Sequence, residues 1–222
     1  MDQNKDSFLD VPLAKQINFL NRWQYTDFEK GWVGFGSIRF MNDNKQIGAL
    51  GYEPKTDRNS ESLWGSEIKT QRVDGSVKVG YVFPEIPYQS FGFQSAYSRH
   101  KQEAYYGIRK YDIDHESFYA NLLFNSIIGN TKNKFKTGLN LAYDLFSEVV
   151  DQFDFSRTDR SFGGFFEYSY DNLENFSLVG GLRLDFHNNL GTFLTPRLHM
   201  RYLPNPKTIV RASVGSGRKA AN

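Results

Sequence analysis

The chain has no cysteine in its 222 residues, which is compatible with an oxidising envelope compartment but does not identify one. It also has no apolar run approaching the ~20 residues that a membrane-spanning helix needs, and this excludes a helical membrane protein. The residues after Met1 form neither the basic nor the apolar segment of a secretory signal peptide. We therefore expect a piece of a longer chain or, as a second interpretation, a truncated reading frame.

The sequence shows no excess of charge of one sign. It has 27 Lys and Arg against 25 Asp and Glu, a net charge of +2, and the basic residues are spread along the whole chain. A nucleic-acid site would need basic residues clustered on one surface. We expect no nucleic-acid partner.

Motifs of common catalytic sites are absent or incomplete. No Gly-x-Ser-x-Gly sequence occurs, which removes the commonest cue for a hydrolase. His115 and Glu116 are not followed by the second histidine of a zinc protease, because Tyr119 stands at that position. The tail from Gly215 to Lys219 has the wrong spacing for a phosphate loop, and Ala220 follows the lysine. We expect no catalytic residues, and no enzyme.

Metal and cofactor signals are equally weak. Asp112, Asp114 and Glu116 could offer oxygens to calcium, but no glycine follows at the position that a calcium loop requires. The four histidines are too scattered for a metal site; they are His100, His115, His187 and His199. We expect neither a metal nor a cofactor.

What the sequence does contain is long alternation. From Lys134 to Leu145, and again from Phe162 to Asp171, apolar or aromatic residues occupy every second position. Successive strand side chains point to opposite faces, so each segment has one apolar and one polar face. Strands of soluble sheets usually run about 5–6 residues. Alternation over roughly 10 residues with aromatics near the ends is typical of a β-barrel that crosses an outer membrane.

About ten such segments are present, the even number that a bacterial barrel favours. They are 15–26, 31–41, 75–83, 89–102, 116–128, 134–145, 162–171, 176–186, 192–203 and 207–214. On the apolar face we expect Leu139, Leu141, Tyr143, Leu182, Leu184 and Leu198, and on the polar face Arg183, Asp185, Arg197 and Arg211.

The predicted connections between the segments alternate in length without exception. Short turns rich in Gly, Pro, Asn or Asp are predicted at 26–31, 84–89, 130–133, 171–174 and 204–207. Longer polar connections are predicted at 42–74, 101–115, 147–160 and, more briefly, 187–191. Outer-membrane barrels have short turns at one end and long loops at the other. We therefore expect sequential up-and-down pairing.

Several segments resemble the barrel of TonB-dependent outer-membrane receptors, most of all those of Bacteroidetes-type bacteria. The quoted stretches are 163–168 (GGFFEY), 180–188 (GGLRLDFHN), 195–199 (TPRLH) and 210–218 (VRASVGSGR), with 8–12, 21–23, 107–111 and 119–121. The resemblance covers nearly the whole chain, and the order of the segments carries it more than any one motif.

The resemblance implies energised import through the outer membrane of a Gram-negative bacterium. In this family a plug domain fills a barrel of about 22 strands, extracellular loops capture a scarce ligand, and TonB pulls on the plug. Residues 1–222 show no plug and no closing strand, so the implied unit is a single β-barrel segment. The implied partners are outer-membrane lipid, the missing plug and, through it, TonB. The ligand stays open among siderophores, cobalamin, metal complexes and glycans.

Charged residues on the polar face are the candidate site. They would lie on adjacent strands about 4.8 Å apart and could form a ladder across the inner wall. Either they pair with one another in a solvated lumen, or they face the plug, which would supply partners for buried charge. The candidates are Glu167, Arg183, Asp185, Arg197, His199, Arg201 and Arg211.

Two other functions fit the same residues. One is a passive porin-like channel whose lumenal charges set ion selectivity, and the other is a soluble β-protein that binds a lipid or a partner through its aromatic face. For the fold we expect an all-β, transmembrane, antiparallel up-and-down barrel segment of a larger barrel. The inner face is glycine-rich, which suits a wide lumen, so the isolated chain should be an open sheet with two unpaired edges.

Overall fold

The computed structural model describes residues 2–58 and 60–218, and within them the chain is a single antiparallel sheet of eleven strands. The strands are β1 (Leu13–Asp27), β2 (Trp32–Gly48), β3 (Gly65–Val82), β4 (Ser90–Tyr106), β5 (Arg109–Ile128), β6 (Asn130–Val150), β7 (Phe153–Asp154), β8 (Arg157–Asp171), β9 (Phe176–His187), β10 (Gly191–Asn205) and β11 (Thr208–Gly215). The described residues include no helix that could cross a membrane.

Each strand pairs with its neighbours in sequence. The order is β1-β2-β3-β4-β5-β6-β8-β9-β10-β11, and the two-residue β7 pairs only with β6. All ten predicted strands are present, and the sequential up-and-down order is confirmed. The segment from Gly215 to Lys219, whose spacing does not fit a phosphate loop, lies partly outside the described residues, which end at Arg218.

The predicted alternation of short and long connections is wrong. Residues 101–115 were expected to form a long loop, but β4 and β5 continue through them and are joined only at Gly107 and Ile108. Among the connections that the structure describes, only the one between β2 and β3 remains a long loop, with its described residues at 49–58 and 60–64. The strands continue because polar side chains pair along and across them, as where Arg99 on β4 donates to Asp114 on β5 at 2.7 and 3.0 Å. Both faces are polar there, so the sequence loses the alternation that identifies a strand.

The loop between β2 and β3 packs against the end of the sheet. The Tyr52 hydroxyl donates to the Tyr105 hydroxyl at 2.9 Å, and both rings are buried. Arg58 lies over the Tyr105 ring, 4.5 Å from its centroid. Before β1, Phe8 forms an isolated bridge with Ala49. The largest buried side chains of the sheet are therefore at this loop end.

The sheet is open, as predicted. Within the described residues β1 pairs only with β2, and β11 pairs only with β10. Nearly every residue of these two edge strands is exposed. In lipid, unpaired backbone groups cost several kcal/mol each, so both edges need further strands if the sheet spans a membrane.

The strand register confirms the predicted faces. Leu139 pairs with Gly164, which pairs with Leu184, so the leucines share one side of the sheet. Gly163 pairs with Asp185, and Asp185 pairs with Phe193, which places the acidic residue on the other side. We call the side of Leu139 the apolar face and the side of Asp185 the polar face.

Adjacent substitutions on β6 test this assignment. Leu141 is exposed on the apolar face, and Ala142 is its neighbour on the polar face, two residues from Asp144. Arginine on a lipid-facing side near mid-membrane costs about 2–4 kcal/mol. Leu141→Arg should therefore sharply reduce the folded fraction in lipid vesicles, while Ala142→Arg should fold almost as well as the parent, as measured by the gel mobility of unheated samples. Equal losses would contradict the assignment.

Candidate functional site

Two of the predicted residues form a bidentate ion pair on the polar face. Arg183 Nε and Nη2 donate to the two carboxylate oxygens of Asp185 at 2.7 and 2.9 Å. Asp185 is only 4% exposed and sits over Gly163 of the neighbouring strand, where a Cβ atom would collide with its carboxylate. The glycine therefore makes room for a buried charge, and the arginine two residues away in the same strand satisfies it.

A second pair spans three strands. Arg197 on β10, Gly181 on β9 and Glu167 on β8 stand in one register row. The Arg197 side chain crosses Gly181, its Nε 3.0 Å from where a Cβ would be, and its Nη2 donates to Glu167 Oε2. Four of the seven predicted residues are therefore brought together as two ion pairs, each formed over a glycine.

The other three predicted residues lie on the polar face near the edge of the sheet. Arg201 pairs in register with Arg211, and His199 pairs with Ser213. All three side chains are exposed, and no described carboxylate forms a salt bridge with either arginine. Like charges directly opposite each other destabilise a sheet, so the two arginines of this cationic patch (Arg201 and Arg211, with His199 beside them) suit an anionic partner.

The structure also places polar groups that sequence reasoning missed. Asn121 and Asn140 are register partners on the polar face, and the Oδ1 atom of each is buried with no hydrogen-bond partner among the described residues. His115 stacks on Phe146 with a centroid distance of 4.0 Å, and its Nε2 donates to Asp144 Oδ1 at 2.9 Å. These contacts join residues far apart in sequence, and only the register could have revealed them.

No metal centre is formed by these groups. In residues 2–58 and 60–218, no three His, Cys, Asp or Glu side chains are close enough to hold an ion. Among the histidines, His100 and His115 are direct register partners, but they lack a third ligand. The chemistry of the polar face is therefore charge pairing and hydrogen bonding.

The apolar face carries a band of exposed apolar side chains. A row of aromatic rings lies along the edge of this band that is nearest the β1–β2, β3–β4 and β5–β6 turns. On β2 the band runs from Trp32 to Phe40, nine residues, and a membrane-crossing strand needs about 9–11. Neighbouring rings in the row have centroids 4.7–5.9 Å apart; they are Trp32, Tyr81, Phe83, Phe91, Phe124, Phe135 and Phe166. Such rows are typical of the interfaces of membrane barrels.

The band drifts steadily across the strand register. One register row runs from Trp32 on β2 to Pro196 on β10. On β2 the band extends eight residues from this row toward the long loop, to Phe40, but on β10 it extends only two, to Leu194. The shift is six residues over the seven steps from β2 to β10, about 0.9 residue per strand, which with a rise of about 3.3 Å and a spacing of about 4.8 Å corresponds to a strand tilt of roughly 30°. The strands of membrane barrels are inclined in the same way, by about 35–45°.

Two adjacent glycines on β9 test the crossing of Arg197. Gly181→Ala would place a Cβ against Arg197 and should lower the free energy of unfolding by about 1–3 kcal/mol through overpacking. Gly180→Ala is the matched control, because it points to the apolar face and its Cβ would lie 3.7 Å from Leu198 Cδ1, an ordinary contact. Urea unfolding of the vesicle-inserted protein measures both. Equal stabilities would show that Arg197 does not depend on Gly181.

Comparison with known proteins agrees with this geometry. The family model described as "TonB dependent receptor-like, beta-barrel" matches residues 3–222. The siderophore receptor PirA from Pseudomonas aeruginosa is 12% identical and superposes with a TM-score of 0.62, over 94% of this chain and 40% of its own. The alcaligin outer-membrane receptor FauA from Bordetella pertussis is 9% identical with a TM-score of 0.62, over 87% of this chain and 34% of its own.

No curated protein sequence matches the chain. The solved structures are too distant in sequence to show more than the fold, and the chain spans well under half the length of each. The family match covers almost every residue. The chain belongs to the TonB-dependent receptor-like β-barrel family.

Proposed function

We propose that the chain forms part of the barrel wall of an outer-membrane receptor in a Gram-negative bacterium. The observation that carries this is the two-faced sheet, whose apolar band has the length of a membrane-crossing wall and runs obliquely across the strands. The apolar face contacts lipid and the polar face lines the lumen. The free edges of β1 and β11 then pair with further strands of a larger barrel.

The lumen of this barrel holds a plug domain. The cationic patch supports this, because Arg201 faces Arg211 with no described carboxylate to offset the repulsion. The buried Oδ1 atoms of Asn121 and Asn140 also lack partners among the described residues, and buried polar groups are normally satisfied. A plug that presents acidic side chains to the patch offsets the repulsion between Arg201 and Arg211 and so stabilises the wall.

The receptor imports a scarce ligand with energy transduced from TonB through the plug. The loop side carries the extended strands and the β2–β3 loop, which packs against the sheet through Tyr52 and Tyr105 and forms a rim beyond the apolar band. Siderophores come first among the candidate ligands, because the structurally similar PirA is described as a siderophore receptor. Cobalamin, other metal complexes and glycans are the remaining classes.

A passive porin-like channel is the second candidate, because charged residues such as Arg183 and Glu167 line the same face. The two functions differ in what fills the lumen. A receptor with a docked plug conducts ions poorly in a planar bilayer, whereas a porin conducts continuously. Accumulation by a receptor requires an energised cell, whereas diffusion through a porin does not.

Uptake and conductance together test the proposal. Cells expressing the whole receptor should accumulate one member of a labelled panel (ferric siderophores, cyanocobalamin, oligosaccharides), and a protonophore should abolish accumulation. The purified protein should be closed in a planar bilayer. Uptake that survives the protonophore, with a steadily open channel, would favour the porin.

The cationic patch gives a sharper test of plug docking. Replacing Arg201 and Arg211 by Ala should loosen the plug and raise the bilayer conductance several-fold, because about two charge-assisted contacts are lost. Lys101→Ala is the control; this lysine lies on the other side of the sheet, beyond the apolar band, paired with Glu103 at 2.9 Å. Unchanged conductance in the double variant would contradict docking at this patch.

A further inference from the structure

A groove on the apolar face has an arginine at its rim. The groove has a volume of about 440 Å³ and lies between β6 and the β9–β10 hairpin, with Leu141, Phe162 and Phe186 on its walls. These three side chains are 41–49% exposed. Arg160 and Tyr143 close the end of the groove that faces the long-loop side of the sheet.

The groove exists because two neighbouring hairpins end at different heights. β6 continues to Val150, whereas β9 ends at His187 and the hairpin turns at residues 188–190. The short hairpin is held to β8 by Asn188, whose Oδ1 accepts the Arg160 backbone N–H at 2.8 Å and whose Nδ2 donates to the Thr158 carbonyl at 2.7 Å. The step in the wall is therefore rigid rather than a frayed edge.

Arg160 stands where the apolar band ends on β8. The next residue on the same side toward the membrane interior is Phe162, and the side chain of Arg160 lies over the Tyr143 ring, 5.5 Å from its centroid. The arginine is exposed. Its position is that of a headgroup-level residue, with apolar wall on one side and polar strand on the other.

The guanidinium of Arg160 differs from its neighbours in having no counter-charge. On the same side of the sheet, Arg99 has Asp114 at 2.7 Å, Lys69 has Glu67 at 3.2 Å and Lys110 has Asp112 at 2.6 Å. Within the described part of the chain no carboxylate forms a salt bridge with Arg160. A strong donor at a headgroup level, held beside an apolar groove, complements an anionic headgroup joined to an acyl chain.

We propose that this groove is a binding site for a phosphate-bearing lipid of the surrounding leaflet. The phosphate accepts hydrogen bonds from the Arg160 guanidinium, and one acyl chain lies along Leu141, Phe162 and Phe186. The inference rests on the proposed function, since it requires the apolar face to be in a membrane. It adds a specific annular lipid that fills the step between the two hairpins.

Native mass spectrometry of the whole protein, released from detergent, tests the site with two probes that share their acyl chains. Dioleoylphosphatidylglycerol carries the phosphate, and dioleoylglycerol lacks it. The parent should retain one phosphatidylglycerol about tenfold more strongly than diacylglycerol, as one strong charge-assisted contact implies. Arg160→Gln should remove this preference, and Arg160→Lys should keep part of it.

Two further variants separate the parts of the site. Phe186→Ala should weaken retention of both lipids alike, because it removes groove wall and not charge. Arg99→Gln is the matched control and should behave as the parent, because its guanidinium is already occupied by Asp114. A preference unchanged in Arg160→Gln, or absent from the parent, would overturn the lipid site while the protein still inserts into vesicles. Failure to insert at all would overturn the proposed membrane wall as well.

Discussion

Antiparallel backbone pairing between successive strands is the constraint on which the rest of the structure depends. Apart from the two-residue β7, each strand bonds only to the strands before and after it in sequence, and because side chains alternate with a period of two, one register fixes the face of every residue. A slip of one residue on β9 would move Arg183 and Asp185 into the apolar face and Leu182 and Leu184 into the polar one. The pairing of Gly163 with Asp185 and of Gly181 with Arg197 favours this register, because each charged side chain occupies the space that a Cβ atom would fill on its partner.

The two faces differ in the exposure and the pairing of their side chains. The apolar face leaves large side chains exposed, from Trp23 on β1 to Val214 on β11, which soluble sheets rarely do over a continuous surface. The polar face buries charge and pairs it, as in Arg183 with Asp185. Among the described residues the exceptions are the arginines of the cationic patch and five buried atoms without a hydrogen-bond partner, on Asp43, Ser66, His100, Asn121 and Asn140. We propose that a plug provides partners on this face and that a lipid headgroup provides one for Arg160 at the rim.

The sequence was sufficient to predict the ten strands, their order, the two faces and the open sheet, because one face of each strand is uniformly apolar and the period-two signal is strong. The sequence mispredicted residues 101–115 as a loop. Polar residues such as Asp114 occupy both faces of the strands there, so the alternation that identifies a strand is lost. At the candidate site it identified all seven residues as sharing a face, but not the pairs. The Arg197–Glu167 contact depends on Gly181, which lies between them in the sheet but is 14 residues from Glu167 in the sequence. Only the strand register brings these three residues together.

The two-faced wall can be measured directly because the chain has no cysteine. Single cysteines placed in turn at positions 134 to 145 of β6, in protein inserted into vesicles, would be treated with a water-soluble maleimide and, separately, labelled with a fluorophore that brominated lipid quenches. Positions 138 and 140 are left out, because a Cβ at Gly138 would collide with the Leu122 carbonyl and Asn140 is buried. Substitutions at even positions should react with the maleimide and resist quenching, and those at odd positions should do the reverse. A flat pattern, or one with a period near 3.6, would contradict a membrane wall with one face in lipid and the other in the lumen.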